Sequence, residues 1–311
     1  SWCELTPELV KEINHCGGTI LSSDRGNPPH KKMAEALREH RIRQLFVLGG
    51  DGTHKGILQL CQSFSDLDYE CACMGVPSTI NNNMPMTDKT FGFDTACSVA
   101  KAIIDAAYVE ATCNANCIGF VKLLGTDSGL LTVMSVLASK HVDLCLIPEM
   151  TVSLDKVLDH CEAVMASKGY AVIVISDGCG EQLFEAIGER PEDGDVGPWL
   201  RDKVLKRFKD KEKPLTIKYL DPTYMLRSQP SNASDSVYCG ILAEHAVHGA
   251  MAGLTCCTMS KLYERYVYLP LNSITARSKQ VNPQGRWYMR MRFTTRQPAF
   301  EPDNFEYASS K

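Results

Sequence analysis

A glycine-rich stretch, Gly49-Gly50-Asp51-Gly52-Thr53, follows the apolar run Leu45-Phe46-Val47-Leu48 and opens a helical pattern. Glycines let backbone N–H groups come close to a phosphate, and a helix N-terminus favours anions. Asp51 is a hard oxygen ligand that could hold Mg²⁺ beside such a phosphate. The plain alternative is a structural turn. The stretch is not a Walker A loop, because no GxxxxGK[ST] occurs. A second loop, at 77–83, holds three successive asparagines, Asn81-Asn82-Asn83. An amide can orient a hydroxyl but cannot take its proton near neutral pH. Asparagine also tolerates the left-handed conformation of turns, so the run can be purely structural. Three more loops follow strand-like runs, at 125–129, at Pro148-Glu149 and at 22–26 after Thr19-Ile20-Leu21.

The elements around these loops alternate. Strand-like runs lie at 45–48, 71–76, 118–124, 144–147, 171–175, 215–219 and 266–269. Helical patterns lie at 57–64, 95–109, 130–139, 154–166, 197–208 and 234–252, the last rich in small residues. Strand, glycine-bearing loop, helix, strand is the pattern of a parallel sheet covered on both faces. In such sheets ligands bind beyond the carboxyl ends of the strands, where these loops fall. The first residues read as an amphipathic helix entered at Thr6-Pro7, and the tail after Gln297 as an extended arm.

The chain has 311 residues, enough for two domains. A net charge of −4 gives no basic footprint for nucleic acid. No apolar run reaches the roughly 18 residues of a membrane helix. The fourteen cysteines show no CxxC spacing and read as reduced core residues of an intracellular protein. Cytoplasm is the default location, with an organelle the alternative if a segment precedes this sequence. His54, His245 and His248 are scattered and read as core or interface residues rather than metal ligands.

Six ordered motifs carry a family resemblance: LFVLGGDGTHKG, PSTINNNMPMTDKTFGFDTA, IGFVKLLGTDSG, DLCLIPE, IKYLDPTYMLR and PSNASD with HGAMAGLT. Together they resemble phosphofructokinase, above all its plant and trypanosomatid ATP-dependent branch, over about 4–300. The resemblance implies an α/β fold of two Rossmann-like parallel-sheet domains with a cleft between them. One domain would be 1–92 plus 226–277, on the nucleotide side. The other would be 93–225 plus 278–311, on the sugar-phosphate side. The family's first strand and nucleotide loop have no counterpart in this sequence: either they precede it or the protein has lost them. A homo- or hetero-oligomer, or a place in a larger complex, is implied as well.

The family's TIDND-type loop supplies the carboxylate that deprotonates fructose 6-phosphate. Its counterpart here is Thr79-Ile80-Asn81-Asn82-Asn83, so Asn81 stands at the base position and Asn83 at that of a second aspartate. The family's MGR turn reads Leu124-Gly125-Thr126, so Thr126 replaces an arginine. Ser78 replaces a lysine. By the same resemblance Gly49, Gly50, Asp51, Gly52, Thr53 and Arg25 bind nucleotide phosphate, with Asp51 on the metal. Glu149, Lys218, Tyr224 and Arg227 bind sugar phosphate. Inherited fold without use is the plain alternative for each. These departures suggest an impaired pseudoenzyme that serves as a structural or regulatory subunit. An active ATP-dependent 6-phosphofructokinase of glycolysis, using ATP and Mg²⁺, is the first alternative. A sugar-phosphate or nucleotide sensor is the second. An inactive form would need no cofactor.

Overall fold

The computed structural model describes residues 3–22, 28–192 and 194–300. It divides into two compact units, Ser1–Ala96 with Arg227–Lys279, and Cys97–Leu226 with Gln280–Lys311. In chain order the elements begin α1 (Pro7–Val10), α2 (His30–Glu39), β1 (Gln44–Gly49), α3 (Asp51–Asp66) and β2 (Ala72–Pro77). Then come α4 (Phe93–Cys113), β3 (Cys117–Leu123), α5 (Leu130–Ser139), β4 (Leu144–Leu146), α6 (Leu154–Lys168) and β5 (Tyr170–Ser176). Next are α7 (Gly180–Ile187), α8 (Val196–Asp210), β6 (Thr216–Leu220) and α9 (Thr223–Arg227). The last are α10 (Ala233–Met251), β7 (Cys257–Leu262), β8 (Arg265–Pro270), α11 (Leu271–Thr275) and α12 (Arg286–Thr295).

Unit 1 holds a sheet of order β1-β2-β7-β8. The β1–β2 and β2–β7 pairs are parallel, and β7–β8 is an antiparallel hairpin at one edge. Ile57, Leu60, Phe64, Cys73, Leu271 and Ile274 form the apolar layer on one face. Tyr238, Leu242 and Ala246 of α10 pack with Val76 and Met259 in another. The α10 helix is entered at Asn232, whose side chain accepts the Asp235 N–H at 2.9 Å. Its Gly249 permits close approach: a Cβ there would lie 2.6 Å from the Tyr268 ring.

Unit 2 holds an all-parallel sheet of order β4-β5-β3-β6. Every residue of β3 is buried, as is nearly all of β5, which fits central strands covered on both faces. The flanking helices begin at residues chosen for capping. Ser153 accepts from Lys156 N before α6, and Asp195 accepts from Gly197 N before α8. The α6 helix ends at Gly169 in the left-handed conformation.

Two local expectations need correction. The opening helix is entered as read, with Thr6 Oγ1 accepting the Leu9 N–H at 3.3 Å and Pro7 in the first turn. It runs for only four residues and buries none of them, because a short helix without a packing surface does not propagate. The run Thr19-Ile20-Leu21 is turn and coil, not strand. The strand read at 266–269 is present as β8 and runs antiparallel to β7, at the edge of an otherwise parallel sheet. Within the tail, Gln297 is anchored, since its Oε1 accepts the Cys145 N–H at 2.7 Å. Residues 301–311 and Arg25 lie outside the described residues. No helix among the described residues is long and apolar enough to cross a membrane.

Candidate active site

In unit 1 two loops leave neighbouring strand ends and meet. Gly49 closes β1 in register with Pro77 of β2, and Ser78 N donates to Gly49 O at 3.0 Å. A Cβ on Gly50 would sit 3.3 Å from Thr79 Cβ, so the two turns touch. Gly49 lies against the Thr53 side chain, where a Cβ would overlap it. Asp51 occupies the first turn of α3, which suits a carboxylate. Its Oδ2 accepts from Lys55 Nζ at 2.7 Å. Its Oδ1 is buried without a hydrogen-bond partner. Gly52 faces open space.

The loop is held from below by a residue that the sequence reading set aside. His54 is fully buried. Its Nδ1 lies 2.8 Å from Gly50 O and its Nε2 lies 2.9 Å from Thr258 Oγ1. A neutral ring with its proton on Nδ1 donates to Gly50 O, and its Nε2 then shares the single Thr258 hydroxyl proton with Gly75 O, 2.9 Å from that hydroxyl. Gly75 is required beneath it, since a Cβ there would lie 2.6 Å from Nε2. Burial holds His54 below the ordinary histidine range, against the Gly50 hydrogen bond and the Asp51 charge, which both raise it. The unfolded chain therefore binds this proton more readily. The linked stability is present above about pH 6.5 and is lost as pH falls through that value toward the lower folded one. Urea midpoints are expected to drop over this window, and the drop should flatten in His54→Gln.

The three asparagines have separate environments. Asn82 stands in the left-handed region, at φ 49°, is buried, and donates from Nδ2 to Asp88 O at 3.2 Å. That is a turn residue's role. Asn81 is half-buried and its N–H donates to Thr79 Oγ1 at 3.3 Å. Its side chain makes no hydrogen bond to the described residues. Asn83 is buried, and its carbonyl accepts from Lys279 N at 2.6 Å. Thr79 is fixed through its backbone, with N donating to Phe91 O and O accepting from Thr90 Oγ1. The Lys279 ammonium donates to Thr87 O at 2.9 Å, and burial pulls it below its ordinary value. This cation beside the asparagine loop was not read from the sequence, because 190 or so residues separate the partners.

In unit 2 the turn after β3 carries Thr126 against a carboxylate. Asp177, just past β5, accepts from Gly125 N at 2.8 Å, and Thr126 Oγ1 lies 3.3 and 3.4 Å from its two oxygens. Burial pushes the Asp177 carboxyl above its ordinary value, against the Gly125 and Thr126 hydrogen bonds. The sequence signal for Asp177 was its place at a strand's carboxyl end. A second group centres on Lys122, which is nearly buried and pairs with Asp195 at 2.6 Å and Asp221 at 2.8 Å. Burial works against its charge, but the two carboxylates prevail and hold the ammonium above its ordinary value. The neighbouring Tyr219 hydroxyl is buried without a partner.

The residues expected at a sugar phosphate each have their own surroundings. Glu149 spends its oxygens on backbone: Gly129 N at 3.0 and 3.1 Å and Val281 N at 2.8 Å. Lys218 pairs in register with Gly119 in the middle of its strand and reaches Glu110 on α4 at 3.1 Å. That places it away from the strand's carboxyl end. Tyr224 and Arg227 lie on α9 with exposed side chains. No group of three or more His, Cys, Asp or Glu able to hold a metal occurs among the described residues.

A profile of the phosphofructokinase family matches residues 1–250. ATP-dependent 6-phosphofructokinase 7 of Arabidopsis thaliana is 39% identical over 307 residues, covering 95% of this chain and 63% of the relative. The ATP-dependent 6-phosphofructokinase of Amycolatopsis methanolica is 40% identical over 311 residues, covering 95% and 68%. The chain thus spans roughly three fifths of the length of the first of these relatives. Among solved structures, a pyrophosphate-dependent phosphofructokinase from Marinobacter aquaeolei superposes with a TM-score of 0.73 at 20% identity, over 94% of this chain and 76% of that one. That likeness speaks for the fold. Together these findings establish that the chain belongs to the phosphofructokinase family.

Proposed function

We propose that this chain is a phosphofructokinase-fold subunit with impaired phosphoryl transfer, acting as a structural or regulatory part of a larger assembly. One observation carries the reading. The loop that touches the Gly49–Thr53 turn offers two neutral amides, Asn81 and Asn83, where the family resemblance calls for carboxylates. Neither amide can accept the proton of a sugar hydroxyl. Thr126 offers no cation for developing phosphoryl charge.

A second reading rests on Asp51. Its buried, unpartnered Oδ1 fits one ligand of a Mg²⁺ ion whose other ligands are phosphate oxygens and water. Mg²⁺, when bound, would neutralise charge on the transferring phosphates. The Gly50 backbone would carry the anion at the head of α3, and Lys55 would hold the other Asp51 oxygen. An ATP-dependent transfer to fructose 6-phosphate would follow, as the relatives' names suggest.

A coupled assay on the protein purified with its native partners separates the two. Fructose 6-phosphate and Mg²⁺ are supplied with ATP, then with pyrophosphate. No turnover with either donor is expected. Turnover that disappears in Asp51→Ala would sink the subunit reading and leave the second.

A further inference from the structure

Two sets of cations stand on α8 of unit 2 and on the turn after it. Arg201, Lys203, Arg207 and Lys211 each face a carboxylate: Asp202 for the first, Glu189 for the second, Asp159 and Glu162 for the third, Glu162 again for the last. Lys206, Lys209 and Lys213 are exposed and make no ion pair with the described residues. These three line one open groove of about 570 Å³, with Glu212 the single acid on its wall. Its apolar part is Leu205, Phe208, Pro214 and Leu215. The chain makes this hollow by turning sharply where the helix stops. Glu212 stands in the left-handed region at φ 55°, and the N–H groups of Lys211 and Lys213 both donate to Phe208 O, at 3.2 and 2.9 Å. Glu212 N donates to Lys209 O at 2.9 Å. Backbone therefore satisfies these helix-end carbonyls, and the lysine ammonium groups are not needed to cap them. Lys206 also lines a second hollow of about 410 Å³, so the two adjoin along α8. That one has Trp199 and Pro198 on its wall together with Glu189, Asp195 and Asp202. Trp199 is held edge-on to the Phe184 ring, with centroids 5.1 Å apart. One end of the surface is thus basic, and the other is acidic around an indole.

We infer that this surface docks an acidic amphipathic helix of a partner protein. Its apolar side chains lie on the floor made by Leu205, Phe208, Pro214 and Leu215, and its carboxylates meet Lys206, Lys209 and Lys213. Charge selects the occupant. A basic segment would be repelled by three ammonium groups that have no carboxylate of their own, and an uncharged one gains nothing from them. Spacing agrees. At a rise of about 1.5 Å per residue, Lys206 and Lys209 lie about 4.5 Å apart along the axis, which matches carboxylates three or four residues apart on a facing helix. The acids beside Trp199 keep the acidic stretch at the Lys206–Lys213 end, so an apolar residue of the partner faces the indole. The floor supplies the burial, and the lysine rim sets register and speeds encounter. The inference does not rest on lost phosphoryl transfer, since an active chain would carry the same groove.

The test titrates a fluorescein-labelled peptide of three Glu-Glu-Leu-Leu repeats with the full chain at low salt and follows fluorescence anisotropy. Saturable binding that weakens as salt is added is expected. Lys206→Ala, Lys209→Ala and Lys213→Ala combined should raise Kd roughly tenfold. Lys31→Ala, Lys32→Ala and Lys140→Ala combined remove the same charge from exposed positions elsewhere and should leave Kd within about twofold. All six side chains are exposed, so both variants keep the fold, which circular dichroism checks. A peptide of Glu-Glu-Ala-Ala repeats keeps the charge, loses the apolar contact and should bind roughly tenfold more weakly. No saturable binding by the wild-type chain, an equal loss in the two triple variants, or equal binding of the alanine peptide overturns the inference. So does equally tight binding of Lys-Lys-Leu-Leu repeats.

Discussion

Asn81→Asp combined with Thr126→Arg is expected to bring phosphofructokinase turnover to roughly 10²–10⁴ times the assay background, to which the unaltered chain adds nothing, in the coupled assay with ATP and Mg²⁺. The aspartate would restore a base in a half-buried position whose amide has no hydrogen bond to defend. The arginine would enter an exposed position. It would also find a partner there. Asp177 lies within 3.4 Å of the Thr126 hydroxyl, and burial has raised its carboxyl above the ordinary range. A guanidinium beside it would favour the ionised form and be oriented by it. The single variants separate the two contributions. If the double variant remains as inert as the parent, the missing chemistry lies elsewhere, and the asparagine loop is not what limits the chain.

Lys122→Met should cost roughly 2–4 kcal/mol of stability, read as a fall in the urea midpoint without a change in slope. Methionine keeps the length of the stem but removes the charge between Asp195 and Asp221. Those two carboxylates would then repel across the space the ammonium had filled. They are about a third exposed, so the expected loss stays below that of a fully buried triad. Lys122→Met with Asp221→Asn should recover part of it. A single variant within about 0.5 kcal/mol of the parent would mean that water replaces the ammonium at little cost.

Much of the sheet was readable because its parallel strands, the half-buried edge strand β1 as well as the buried ones, are continuous apolar runs. Leu45-Phe46-Val47-Leu48 became β1, and the runs near 72–76, 118–123 and 171–175 became β2, β3 and β5. The β7 strand escaped because its sequence, CTMSKL, mixes polar residues into a buried face. Thr258 and Ser260 are fully buried, yet each has a hydroxyl partner, Gly75 O and Thr87 Oγ1. Burial of that kind depends on tertiary partners that no local pattern announces. The α2 helix escaped for the opposite reason: among its charged residues only Ala34 is buried. The site loops were legible as loops at strand ends. What each side chain does there was not, since His54, Lys122 and Asp177 take their meaning from partners supplied by distant segments.

The discontinuous path of unit 1 has a consequence for biosynthesis. The middle strand β2 is flanked by β1, made just before it, and by β7, whose pairing residue Cys257 follows Met74 by about 180 residues. At the usual elongation rates of roughly 5–20 residues per second, that gap lasts about 10–40 seconds. Through this interval one edge of β2 has no strand to bond. The β3–β6 sheet of unit 2, by contrast, is encoded in one uninterrupted stretch and can close while synthesis continues. Ribosome-bound chains that stop short of Cys257 should therefore show protease resistance over 117–220 and cleavage within 44–77, and should be the species most in need of a chaperone.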